Sequence, residues 1–195
     1  MKTLRDALVL FVLLTVLTGG LYPLAVWGAS RVLFPREADG SLVVRHGLVV
    51  GCELVGRPFD APGDFWSRPS AAPRGAYDAS LSSGSNWGPT NPALAEAVKG
   101  RVAALQAADP SDTRPIPVDL VTASGSGLDP DISPAAAERQ VPRVARARGL
   151  PEKAVRELVA RHVQEPLLAI FGGARVNVLQ LNLALDDLAA AGARR

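Results

Sequence analysis

Cysteine occurs once in these 195 residues, at Cys52, and histidine only at His46 and His162. A lone thiol excludes an intrachain disulfide, and two isolated imidazoles without further thiols exclude a zinc cluster. Carboxylates such as Asp129 and Asp131 remain as ligand types, but that pair alone is a weak cation signal, so no metal is expected. Basic charge is present without being concentrated. The 21 Lys and Arg against 19 Asp and Glu leave +2, with no lysine-rich patch interleaved with aromatics, so no nucleic-acid partner is expected. Lysine is missing altogether between Lys99 and Lys153. That gap excludes a phosphate loop of the form G-x-x-x-x-G-K-[ST] in the Gly- and Ser-rich middle of the chain.

Charge is also absent from Ala7 to Ser30, ALVLFVLLTVLTGGLYPLAVWGAS. As a helix this stretch spans roughly 36 Å, against about 30 Å of bilayer hydrocarbon. The apolar run exceeds that of a signal peptide and Trp27-Gly28-Ala29 is not an A-x-A site, so a retained transmembrane helix over residues 7–30 is expected, after a short tail of residues 1–6. Lys2 and Arg5 before it are nearly matched by Arg31 and Arg36 after it, so charge alone does not orient the span. Tyr22 and Trp27 fall where an interfacial aromatic belt belongs. Thr15 and Gly19 share one helix face, continued by Pro23, and small residues there make a partner-helix contact plausible beside the plainer reading of a lipid-facing anchor.

Residues 31–195 are enough for one domain with a real core. Short apolar runs between Leu42 and Leu54 read as a β-hairpin. The stretch from Arg57 to Pro92 is dense in Pro, Gly, Ser and Asn yet holds Phe59, Phe65, Trp66, Tyr77 and Trp87; such rings predict an ordered, irregular segment rather than a linker. A helix is expected from Asn91 as N-cap and Pro92 at the first position, with Leu94, Val98, Val102 and Leu105 on its apolar face, to about Asp109. IPVDLVTA, Ile116 to Ala123, reads as a strand. Ser133 and Pro134 open a second helix that runs toward Gly149 with Pro142 as an interior break, and Pro151 opens a third with Val155, Leu158, Val159 and His162 on one face. RVNVLQLNLAL alternates over Val176, Val178 and Gln180 like a strand and then turns helical from about Asn182. The fold class is α+β: a single N-terminal transmembrane helix followed by one mixed α+β domain.

The loop LVTASGSGLDPDISP, Leu120 to Pro134, invites a catalytic reading. A nucleophile elbow needs G-x-S-x-G, but two residues before Ser126 stands Ser124, and two before Ser124 stands Thr122. A membrane-anchored serine hydrolase using Ser124 or Ser126 is the alternative function, and it would need His46 or His162 as base. The plainer reading is a shaped connection in which glycines supply positive φ, Asp129-Pro130 turns the chain and Ser133 caps a helix. Beyond it, Arg139, Arg143 and Arg146 recur at i, i+4 and i+7 beside Gln140, a basic stripe suited to phosphate or an acidic partner, or simply a solvated helix face.

FWSRPSA (Phe65 to Ala71), SGSNWGPTNP (Ser83 to Pro92), LVTASGSGLDPDISP, RQVPRVARARGL (Arg139 to Leu150) and RVNVLQLNLAL (Arg175 to Leu185), in that order, closely resemble the KdpC family, the C subunit of the bacterial Kdp-type potassium-transporting ATPase. Where the family often has histidine before I-S-P this chain has Asp131, and where it often has leucine after S-N it has Trp87. The resemblance implies a non-catalytic subunit of a membrane complex, with ATP hydrolysed on another chain. Implied partners are a channel-like potassium-translocating subunit, a P-type ATPase subunit that is phosphorylated, a small stabilising subunit and the lipid bilayer. The family is described as a catalytic chaperone that raises the pump subunit's ATP affinity, with a ribose-contacting glutamine that corresponds here to Gln140. Its topology puts the protein in the bacterial cytoplasmic membrane, N-terminus inside and soluble domain outside, where ATP is scarce; the expected ATP affinity of Gln140 with Arg139, Arg143 and Arg146 is therefore weak, and no tightly bound cofactor is expected.

Overall fold

The computed structural model describes residues 2–73, 76–166, 168 and 170–192, and divides into two compact units that meet in sequence between Val50 and Gly51. The first is led by one helix, Lys2–Leu33, with none of its most apolar stretch buried in the chain itself. It is built as α1 (Lys2–Val16), a π-helical turn (Leu17–Leu21) and α2 (Tyr22–Leu33). Pro23 has no N–H to continue the α ladder, and the wider turn lies directly ahead of it. A short α3 (Pro35–Ala38) leads to a two-stranded hairpin, β1 (Leu42–Arg45) and β2 (Leu48–Cys52). Its turn residues His46 and Gly47 both have positive φ, 52° and 79°, as a two-residue I′ turn requires.

The second unit runs through α4 (Pro92–Ala108), β3 (Asp131–Ile132), α5 (Pro134–Arg148), α6 (Glu152–His162), β4 (Val163–Gln164), β5 (Arg175–Asn177) and α7 (Val178–Gly192). The three short strands form one antiparallel sheet in the order β3-β5-β4, with Ile132 and Val163 both opposite Val176. Val176 is fully buried, so the sheet places its centre under the helices. The core is the shared face of α5, α6 and α7: Ala136, Val141 and Val144 meet Val155, Leu158, Leu181 and Leu185, and Phe65 from the irregular segment joins them. Burying Leu181 and Leu185 in full stabilises by about 2 kcal/mol each.

Local signals place the helix starts. Asn91 accepts from Ala93 N at 2.9 Å and Ser133 from Ala136 N at 3.0 Å, each followed by proline. Three expectations fail. The strand expected over Ile116 to Ala123 is a 3-10 turn, Val118–Leu120. Pro115 and Pro117 cannot donate to a ladder, and Val118 O is taken by Val121 N and Thr122 N instead. The strand expected through Gln180 stops at Asn177, whose Oδ1 accepts Gln180 N at 3.0 Å and so caps α7 in the manner of an N-terminal Asn. Pro142 does not interrupt α5, which runs unbroken to Arg148 and ends on Gly149 at φ 64°. The fully buried Val141 and Val144 on either side offset the cost of about 3 kcal/mol that a proline brings to a helix interior.

Candidate functional site

The arginine stripe is neither a free phosphate grip nor a solvated face. Arg139, Gln140 and Arg143 are 8%, 3% and 6% exposed. Gln140 Oε1 accepts Trp66 N at 2.7 Å while its Nε2 donates to Trp66 O at 3.2 Å. One residue earlier, Asn182 from α7 does the same to Phe65: Oδ1 accepts Phe65 N at 2.8 Å and Nδ2 donates to Phe65 O at 2.9 Å. Two helix amides thus act as the strand partners of an isolated extended dipeptide, which has no sheet of its own to satisfy it. Arg143 lies over the Trp66 ring, 4.4 Å from its centre, and donates to Asp64 O at 2.9 Å and Gln140 Oε1 at 2.6 Å. Burial lowers its pKa to about 10, still charged at neutral pH.

Arg139 turns the other way, donating to the carbonyls of Arg114 and Pro115 and facing Asp112 at 3.6 Å. Arg146 alone keeps an exposed side chain, 61%, and pairs with Asp109 at 3.2 Å. Asp112 sits below the ordinary carboxylate range because Arg114 donates to it, and Asp109 because Ser111 does. Lowered carboxylate pKa values contribute stability above their unfolded values, and that contribution fades as acid titrates them. Beside Arg139, Gln140 and Arg143 the open space is about 20 Å³, room for about one water and far too little for a nucleotide.

The Leu120–Pro134 loop is spent on structure in the same way. Ser124 Oγ accepts Gly127 N and Ser126 Oγ accepts Leu128 N, both at 3.1 Å. His162 commits Nδ1 to Leu158 O at 2.9 Å and His46 sits in the hairpin turn. Among the described residues no histidine is bonded to a serine, so the hydrolase alternative has no activated nucleophile. An open cleft of about 590 Å³ lies at the start of α5 and is lined by Arg68, Asp119, Asp129, Asp131, Ser133 and Arg175 among others. It is not a phosphate cradle. Asp119 already supplies the anion at this helix start, accepting Ser133 N at 2.7 Å, and Arg68 is paired with Asp129 at 2.6 Å.

Asp131 is paired with Arg175 at 3.1 Å, and its carboxyl is pushed up by burial and then by Asp129. Trp87 is 40% exposed. In the span, Thr15 Oγ1 bonds Phe11 O at 2.8 Å and Gly19 lies in the π turn. Asn182, Asn177, Asp119 and Asp64 were not foreseen. The one signal for Asn182 was an amide, with Gln180, interrupting the apolar run LQLNLAL.

The described residues thus make up an apolar helix long enough to cross a membrane and an α+β domain whose motif segments are locked by hydrogen bonds. The family described as "K+-transporting ATPase, c chain", KdpC, matches residues 4–187. Proteins named potassium-transporting ATPase KdpC subunit are similar throughout: 61% identity over 185 residues in Polaromonas naphthalenivorans (95% of this chain, 94% of the relative). The figures are 62% over 190 residues in Variovorax paradoxus (97% and 98%) and 55% over 184 in Herpetosiphon aurantiacus (94% and 95%). The chain belongs to the KdpC family.

Proposed function

We propose that this chain is the accessory subunit of a potassium-transporting ATPase, held by its single span and serving assembly and turnover while another chain hydrolyses ATP. The observation that carries this is the state of the motif residues: Gln140, Arg139 and Arg143 hold the irregular segments to α5, and Ser124 and Ser126 brace the turn of their own loop. They build a rigid surface rather than a reaction centre. Its partners in this reading are the channel-like potassium-translocating subunit, the phosphorylated P-type subunit and the small stabilising subunit, with one partner helix seated at Thr15 and Gly19. A Cβ at Gly19 would meet nothing within 4 Å in this chain, leaving the approach open. Gly19→Leu, which adds four carbons there, is expected to lower co-purification of the other subunits in detergent several-fold. Unchanged yield would make the span a lipid-facing anchor.

The N-terminus lies inside the bacterial cytoplasmic membrane and the domain outside in this reading, following the family topology. An alkaline phosphatase fused after the last residue is expected to be active in living cells; an inactive fusion at normal expression overturns the orientation. Any effect on the pump subunit's ATP affinity then comes through subunit contact rather than a nucleotide pocket here. Titration of the detergent-solubilised chain with ATP is expected to show a Kd no tighter than about 1 mM, abolished by salt. Micromolar, salt-insensitive binding would instead make Gln140 and the arginines beside it a nucleotide site.

A further inference from the structure

The hydrogen-bond ladder of the span has a gap that none of its own donors closes. Tyr22 N–H, the α-helical donor for the Thr18 carbonyl, reaches back instead to Leu17 O across the π turn. The next residue, Pro23, has no N–H to offer. The two nearest hydroxyls are committed elsewhere, Thr15 Oγ1 to Phe11 O at 2.8 Å and Thr18 Oγ1 to Leu14 O at 2.7 Å. Gly19 and Gly20 leave this stretch of backbone uncovered, since a Cβ at either would meet nothing within 4 Å. Thr18 also stands near the middle of the 32-residue helix, at the depth where no water is present to satisfy a bare carbonyl.

We infer that the Thr18 carbonyl is an acceptor site for a hydroxyl- or amide-bearing side chain on a transmembrane helix of a partner subunit, which packs over Gly19 and Gly20. This rests on the reading of the chain as one subunit of a membrane complex. A second copy inserted in the same direction brings to this depth Thr15 and Thr18, whose hydroxyls are already bonded to their own helix, while its Tyr22 stands one turn further on, toward the aromatic belt. Lipid has no donor either, and the acceptor chemistry therefore selects a polar residue in a different helix.

Co-purification of the assembled complex through a tag on this chain tests it. Pro23→Ala returns the missing N–H, lets the helix close in α register and removes the need for an outside donor. It is expected to lower retention of the other subunits roughly fivefold or more under stringent detergent washing. A second variant keeps the bulge and weakens only the acceptor: glycolic acid in place of Gly19, which converts the Thr18 carbonyl into that of an ester. It is expected to lower retention as well, whereas the same exchange at the Leu13–Leu14 bond, which removes one N–H from regular helix, is expected to leave it near wild type. Loss with Pro23→Ala but not with the ester shows that register and not the carbonyl matters, and overturns the inference. So does unchanged retention in both, or self-association of the chain expressed alone that depends on the same ester. If the unaltered chain brings down no other subunit, it is the subunit reading itself that fails.

Discussion

Replacing Arg143 with alanine is expected to lower the stability of the folded domain by about 3 kcal/mol, a fall in Tm of roughly 6–12 °C for a unit of this size. The guanidinium is almost wholly enclosed, stacked on Trp66 and bonded to Asp64 O and Gln140 Oε1. Its removal leaves buried carbonyls without donors and a void beside the indole. The cost of desolvating the cation, visible in its lowered pKa, is recovered and keeps the loss from being larger. Arg146→Ala, one helical turn on, is expected to change stability by less than about 1 kcal/mol, because its side chain is 61% exposed and the more enclosed Asp109 keeps Ser111 Oγ as a donor at 2.7 Å. Thermal unfolding of the full chain in detergent, followed by near-ultraviolet circular dichroism, measures both. Equal effects of the two substitutions would mean that the stripe is a uniform surface feature after all.

Gly127→Ala is expected to cost a further amount of the same order, about 3 kcal/mol. At φ 69° an alanine is strained, and its Cβ would stand 2.5 Å from Ser83 O and 3.0 Å from Ala72 N. Both neighbours are backbone in segments that are themselves tied down, Ser83 N to Ser126 O at 2.9 Å and Gly127 O to Ser70 Oγ at 2.6 Å. They cannot withdraw cheaply. Gly125→Ala, two residues earlier in the same loop, meets nothing within 4 Å and is expected to cost less than about 1 kcal/mol. If Gly125→Ala proved as damaging as Gly127→Ala in the same unfolding measurement, glycine in this loop would be serving chain flexibility rather than close packing of three backbones.

Both substitutions touch residues that stand out in the sequence for other reasons. The loop was legible as a shaped connection because its components are local: Ser133 caps three residues ahead, Asp129 accepts Asp131 N at 3.0 Å two residues ahead, and glycine announces positive φ. The cap and proline that open α4 and α5 were legible for the same reason. What misled was alternation over short runs. VDLVT and RVNVLQ carry the apolar spacing of strands, and in each case one local bond, Val121 N to Val118 O or Gln180 N to Asn177 Oδ1, turns the chain instead.

By itself the sequence determined the uncharged span, the α+β class, the helix starts and, through its ordered motif blocks, the family. Each of these depends on period, composition or neighbours within a turn. Only the tertiary structure decided that Gln140 and Arg143 face inward and that Asn182 answers Gln140 across an extended dipeptide. The partners there lie 74 and 117 residues apart in the chain. No helical period distinguishes an arginine aimed at water from one aimed at backbone carbonyls brought in from so far away, because the burial that separates them exists only once the irregular segment has closed over α5.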